Sequence, residues 1–277
     1  MFARAACNIL RRDGVRRLFN NRIVIVDYPI DPRRKGENTH VAALLNQRRE
    51  AIGASIAGMT ATLPLAETIA PKFWDNEWFP PVDAIALMSF IARQKPRTYF
   101  EVGSGYSTTA ARHAIDELGL DTRIISVDPK PRANIDALCD TMIRVPFEQV
   151  KPAEYNVVKS GDVVFIDNSH HCFQGSDVAT VFLDFLPSLP PGVFVGIHDI
   201  FLPFDYPEVW KRRFFNEQYT LAAYLLGLGD RARVEFPAFL VTNDDSYASD
   251  LVAVRTFIDE KRARFQGCAL WFVSTGS

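Results

Sequence analysis

The chain has 277 residues, 48% of them hydrophobic, and carries a formal charge of −2 from 31 basic and 33 acidic side chains. That is enough chain for one large domain, or one domain with an extension, around a substantial core. Near-neutrality excludes a phosphate-driven nucleic-acid surface, and no apolar run is long enough to span a bilayer or to form a signal-peptide core.

Residues 1–80 read as an N-terminal extension, and 81–277 as the main domain. Arg4, Arg11, Arg12, Arg16, Arg17 and Arg22 make the first segment basic, which suits a solvated helix face better than a targeting helix. A strand-like run, Ile23 to Val26, leads into a polar turn at Asp31 to Gly36. A helix is expected next, with Val41, Leu44, Leu45, Ile52 and Ile56 on one face. The connection Pro71 to Pro81 contains Phe73, Trp74, Trp78 and Phe79; so aromatic a segment should pack on the main domain.

From residue 82 onward strands and helices alternate. A helix over 83–94 precedes strand one (98–102), and a helix over 107–118 follows it. Strand two is Arg123 to Val127, strand three Met142 to Val145 and strand four Asp162 to Ile166. An apolar helical stripe then runs through Val178, Val181, Phe182, Phe185, Leu186 and Leu189. Strand five is Val193 to Ile197, and a helix occupies 214–228. Two late runs, Arg233 to Phe236 and Ala269 to Val273, bring the strands to seven. Near-continuous apolar strands alternating with amphipathic helices predict an α/β fold, its parallel sheet covered on both faces. Ligands bind such sheets beyond the carboxyl ends of the strands.

The functional candidates all sit at those ends. Strand one runs into Glu101-Val-Gly103-Ser-Gly105, and a helix begins within two residues. Glycine there permits a sharp turn and close approach of a ligand to the backbone, and the helix start aims free N–H groups into the same space. Glu101 would repel a pyrophosphate and suits a cationic ligand such as S-adenosylmethionine (SAM). Asp128 ends strand two, 25 residues after Gly103, where an acidic side chain can accept from both hydroxyls of a ribose. A dinucleotide oxidoreductase is the rival reading, but its fingerprint wants glycine where Thr108 stands. At the end of strand three, Phe147 could flank an adenine and Glu148 accept from its exocyclic amine; Glu148 equally suits a helix N-terminus.

Strand four ends in Asp167-Asn-Ser-His170-His171, and strand five in His198-Asp199. Adjacent strand ends bring Asp167, His198 and Asp199 near one another. They could hold a divalent cation, with oxygen-rich character favouring Mg²⁺, or His198 or His170 could act as general base. A basic, aromatic surface (Trp74, Trp78, Trp210, Lys211, Arg212, Arg213) suits a glycan or an anionic small molecule as well as ordinary packing. The four cysteines, Cys7, Cys139, Cys172 and Cys268, lack a C-x-x-C pair and read as free thiols in a reducing cytoplasm.

These residues resemble the class I SAM-dependent methyltransferases, specifically a bacterial branch similar to macrolide-sugar O-methyltransferases. The resemblance rests on Glu-Val-Gly-Ser-Gly-Tyr-Ser-Thr (101–108), Ser-Val-Asp-Pro-Lys-Pro-Arg (126–132) and Phe-Ile-Asp-Asn-Ser-His (165–170). It continues through Gln-Gly-Ser-Asp-Val (174–178), His-Asp-Ile-Phe-Leu-Pro-Phe-Asp-Tyr-Pro (198–207) and Asn-Glu-Gln-Tyr (216–219). It implies a Rossmann-like sheet of seven strands in the order 3-2-1-4-5-7-6, the last antiparallel. It implies a SAM pocket lined by Glu101, Gly103, Ser104, Gly105, Ser107 and Asp128; Tyr106, Phe147, Glu148 and Asp167 are further candidates for the same pocket. It also implies a metal held by Asp167 and Asp199, with His198 standing where an acidic ligand is common. Transfer of a methyl group to a sugar or small-molecule hydroxyl is the expected activity, with a nicotinamide-dependent oxidoreductase and an inert SAM-binding protein as rivals. Expected partners are a small-molecule or glycan acceptor, with no nucleic acid, no stable membrane insertion and room for a homo-oligomer.

Overall fold

Seven strands form one sheet in the order β3-β2-β1-β4-β5-β7-β6. The computed structural model describes residues 36–131 and 134–276. The arginine-rich segment, the run Ile23 to Val26, residues 31–35 of the polar turn, Cys7 and Arg132 lie outside the described residues.

The strands are β1 (Thr98–Val102), β2 (Arg123–Val127), β3 (Thr141–Ile143), β4 (Val163–Ile166), β5 (Phe194–Ile197), β6 (Arg233–Pro237) and β7 (Leu270–Val273). The first five run parallel, and β7 is antiparallel to both β5 and β6 between which it lies. The boundaries differ from the sequence reading by a few residues, most at β3, which ends at Ile143 rather than Val145.

Alternation along the strands divides the core into two layers. Tyr99, Ile124, Val163, Phe165, Phe236 and Trp271 face one side, and Phe100, Ile125, Val164, Ile166, Val195 and Phe272 the other. Each such side chain contributes about 1.5–3 kcal/mol when fully buried.

The helices follow the same division. The longer ones are α1 (Thr39–Asn46), α2 (Arg49–Glu67), α3 (Pro81–Gln94), α4 (Tyr106–Glu117), α5 (Glu217–Leu228) and α6 (Val252–Glu260). A further helical run opens at Asp177–Thr180, passes through a π-turn at Val181–Phe185 and closes with Leu186–Ser188. The single helix expected through Val41 and Ile56 is in fact two. α1 sends Val41, Leu44 and Leu45 to one layer, while α2 sends Ile52 and Ile56 to the other. The break between them lies at the sheet edge, where Arg48 Nε donates to the Val234 carbonyl at 3.1 Å. This wrap covers the otherwise open edge strand β6.

α3 is buried all along Pro81 to Ile91, as a helix apolar on every side must be. It begins with proline at its first position, where the absent N–H costs nothing, and stops at Lys95 in left-handed conformation (φ 47°). The aromatic connection packs as expected, with Phe73, Trp74 and Phe79 each 4% exposed. No helix among the described residues is long and apolar enough to cross a membrane.

Candidate functional site

At the end of β1 the chain turns at Gly103, which holds φ +79°. A Cβ there would lie 1.9 Å from the Asp167 carbonyl oxygen, so only glycine lets the turn press against the strand next door. Gly105 precedes α4 in extended conformation, and a Cβ on it would meet open space. The turn is tied sideways to β2: Ser104 N and Ser104 Oγ both donate to Asp128 Oδ2 at 3.0 Å. Lys130 N donates to Asp128 Oδ1 at 2.8 Å.

Glu101 supports this turn from beneath. Its carboxylate has no exposed surface and accepts from Tyr99 OH at 2.8 Å and from the Thr108 hydroxyl. Thr108 Oγ1 in turn accepts from Gly105 N at 3.0 Å. Burial pushes the Glu101 carboxyl up to about 7, against the hydrogen bonds from Ser107, Thr108 and Tyr99. Thr108 therefore has a structural duty at the position where a dinucleotide fingerprint would carry glycine. Tyr106 packs its ring edge-on to Phe73, with centroids 5.9 Å apart.

One expectation for this half needs correction. Phe147 is 3% exposed and its ring packs against Phe185, with centroids 5.3 Å apart, so it is a core residue and not a free platform for a base. Glu148 lies in the short 3-10 turn Phe147–Gln149, beside the end of β3. Trp74 likewise belongs to the core, against Phe73 and Phe257. Trp78 is 62% exposed, and the Arg213 guanidinium lies over the Trp210 ring at 4.1 Å.

The ends of β4 and β5 carry the denser chemistry. His170 Nε2 lies 3.4 Å from Asp167 Oδ1 and 3.3 Å from Asp199 Oδ2. His198 Nδ1 lies 3.6 Å from Asp167 Oδ1 and 3.5 Å from Asp199 Oδ1. Asp167, His198 and Asp199 thus meet as expected, and His170, expected only as a base, completes the ring. His170 and Asp199 both hold left-handed backbone (φ 59° and 57°). Such strain in non-glycine residues persists only where the surroundings impose it.

Three further residues escaped the sequence reading of this site. Glu217 Oε2 is 2.9 Å from His170 Nδ1, Asp83 Oδ2 is 3.5 Å from His198 Nε2, and Cys268 Sγ is 3.5 Å from the same nitrogen. Asp83 also accepts from Cys268 N at 2.8 Å and Ala269 N at 3.0 Å, clasping the start of β7 to α3. The one available signal was Asn216-Glu217-Gln218, whose polar side chains open an otherwise apolar helix. In the fold these three residues stitch the two loops together. Asn216 Oδ1 accepts from Cys172 N at 2.6 Å, and Gln218 Oε1 from Phe201 N at 2.9 Å.

Electrostatically the cluster is a set of acids around two imidazoles. Burial opposes charge on His170, but the neighbouring carboxylates of Asp167 and Glu217 prevail and raise it to about 10. His198 is raised as well, burial being outweighed by Cys268, Asp199 and Asp167. Burial alone would raise Asp167; the two imidazoles instead hold it well below the usual carboxylate range. Asp83, Asp167, Asp199 and Glu217 outnumber His170 and His198, so the donor set carries surplus negative charge and fits a cation. Among the described residues, two triads could ligate one: Asp167, His170 and Asp199, and Asp83, His198 and Cys268.

Residues 100–200 match the family model of a methyltransferase domain. No curated protein matches the chain. Similar solved structures include the plantazolicin methyltransferase BpumL in complex with SAH, 11% identical, covering 84% of this chain and 99% of that one with a TM-score of 0.47. Another is the SAH-bound Podospora anserina methyltransferase PaMTH1, 15% identical, covering 76% and 92% with a TM-score of 0.39. The strand order and antiparallel β7 are those of the seven-stranded class I methyltransferase fold.

Proposed function

We propose that this chain transfers the methyl group of SAM to a hydroxyl of a small-molecule or glycan acceptor. One observation carries the reading: the glycine turn and the acid–imidazole cluster are in contact, the Asp167 carbonyl filling the space of a Gly103 side chain. A donor seated on the turn and an acceptor seated at the cluster are therefore neighbours. That adjacency suits a direct displacement, in which the acceptor oxygen bonds to the methyl carbon as the carbon–sulfur bond breaks and SAH leaves.

Each part then has a duty. The Asp128 carboxylate, fixed by Ser104 and Lys130 N, is offered to the ribose hydroxyls. The N-terminus of α4, opening after Gly105, faces the rest of the cofactor. Holding donor and acceptor in line can supply roughly 7–11 kcal/mol of the barrier reduction. The acceptor meets the cluster at Asp167 and Asp199, its most exposed groups at 39% and 15%, and its proton leaves past them to solvent. A divalent ion held by Asp167 and Asp199 would lower the acceptor's pKa.

Calorimetry of the full chain with SAM, SAH and NAD⁺ tests the reading. SAM and SAH should bind and NAD⁺ should not; tight NAD⁺ binding without a response to SAM would overturn it in favour of a nicotinamide enzyme.

A further inference from the structure

Four nitrogen–oxygen separations around Asp167 and Asp199 fall between 3.3 and 3.6 Å. Each exceeds an ordinary N–H···O bond of about 2.7–3.2 Å, so the groups surround a point more than they pair off. Two ligand atoms bound to one ion at roughly 2.0–2.2 Å in tetrahedral geometry stand about 3.3–3.6 Å apart. The observed spacing is that of a coordination shell.

The two rings are aimed independently. His170 is hydrogen-bonded through Nδ1 to Glu217 Oε2 at 2.9 Å, and the buried Nε2 of His198 stands 3.5 Å from both Asp83 Oδ2 and Cys268 Sγ. Both carboxylates have no exposed surface, and both lie in the first turn of a helix, α5 and α3. Tying the far nitrogen of His170 to Glu217 fixes which nitrogen is left over, and a metal-bound imidazole is usually held this way; His198 is turned by the burial of its Nε2 side. Here the nitrogens left over are His170 Nε2 and His198 Nδ1, the two that face Asp167 and Asp199.

We propose that His170 Nε2, His198 Nδ1, Asp167 Oδ1 and the two-oxygen edge of the Asp199 carboxylate, Oδ2 toward His170 and Oδ1 toward His198, form a site for a divalent first-row transition ion of the Mn²⁺-to-Zn²⁺ class in preference to Mg²⁺, with Glu217 as a positioning residue. Two imidazoles among four ligand residues suit a borderline ion, whereas Mg²⁺ takes oxygen ligands and keeps its waters. The use of the ion in methyl transfer rests on the function proposed above; its binding does not.

The test strips the full chain with a chelator and titrates it calorimetrically with Zn²⁺, Mg²⁺ and, separately, SAM. Zn²⁺ should bind at least 100-fold more tightly than Mg²⁺. Glu217→Gln should weaken Zn²⁺ by roughly 10–100-fold while leaving SAM affinity unchanged, and Glu217→Asp, which keeps the charge, should recover part of the loss. Loading with Co²⁺ should give the visible bands of a nitrogen–oxygen site without a thiolate charge-transfer band. A thiolate band abolished by Cys268→Ser would put the ion against Asp83, His198 and Cys268 and overturn the assignment. So would Mg²⁺ binding as tightly as Zn²⁺, or binding of neither ion by a chain that still takes SAM. Zn²⁺ binding as expected without SAM binding would uphold the site and sink the methyltransferase reading.

Discussion

The two halves of the site are built in opposite ways. The turn after β1 and Asp128 span 26 residues of chain, and every contact that fixes them is local or crosses one strand pair. The cluster at the ends of β4 and β5 draws on Asp83, Asp167, His170, His198, Asp199, Glu217 and Cys268, more than 180 residues apart at the extremes. The first half uses backbone shape, and the second uses charge. A local half can be lost by one steric change, whereas the dispersed half depends on the whole sheet being in place.

Gly103→Ala should have the largest effect, because it strikes the point where the halves touch. Its Cβ would collide with the Asp167 carbonyl, and the residue would have to keep φ +79°. A loss of about 3 kcal/mol or more is expected, read as a fall in the urea midpoint, with the loop carrying Asp167 displaced. A variant as stable as the parent would mean that the halves are not in contact.

Next comes the buried acid under the turn. The Glu101 carboxyl sits at about 7 in the fold, above its ordinary range near 4.3. The raised value means that its stabilising contribution is complete below about pH 4.3 and is lost as pH rises through about 7. The difference amounts to roughly 4 kcal/mol at most. Urea unfolding at pH 5 and pH 7.5 should show a steeper loss in the parent than in Glu101→Gln; parallel curves would show that Glu101 is ionised throughout.

Asp128→Ala should weaken SAM by at least tenfold, since hydrogen bonds to a charged group are worth about 1.5–3 kcal/mol. It should leave the Zn²⁺ affinity of the cluster unchanged, which separates the halves in one protein. An unaltered SAM affinity in the folded variant would remove Asp128 from the ribose.

How much of this was legible in the sequence follows the same division. Gly103, Gly105 and Asp128 announce themselves because a turn, a helix start and a strand-end acid lie within one supersecondary unit. Glu217 and Asp83 did not, because nothing in their neighbourhoods shows that they face imidazoles 47 and 115 positions away. Phe147 misled for a related reason: an aromatic residue at a strand end looks alike whether it turns outward or, as here, onto Phe185. The break between α1 and α2 was hidden too, since no proline or glycine marks Gln47 and Arg48, while Pro64 sits inside α2 without ending it. What divides those helices is the sheet edge they wrap, a feature of tertiary structure.

The smallest effect sharpens the comparison most. Gly105→Ala places its methyl in open space from an extended backbone, so stability should change by about 1 kcal/mol or less. SAM affinity should nevertheless fall, because that space lies where the cofactor would meet the start of α4. Unchanged affinity would show that the cofactor passes elsewhere.

The position of β7 sets an order in time. It is the last strand in sequence, yet it lies between β5 and β6, and the Asp83 clasp takes its two N–H donors from Cys268 and Ala269. Synthesis from the N-terminus delivers β1, β2 and the glycine turn long before β7 exists, and a domain generally folds as a unit. β6 must therefore wait without a sheet partner, and the His198 ring without the β7 end of its clasp. The acid–imidazole cluster is thus complete only when the last strand has been inserted and the sheet is whole.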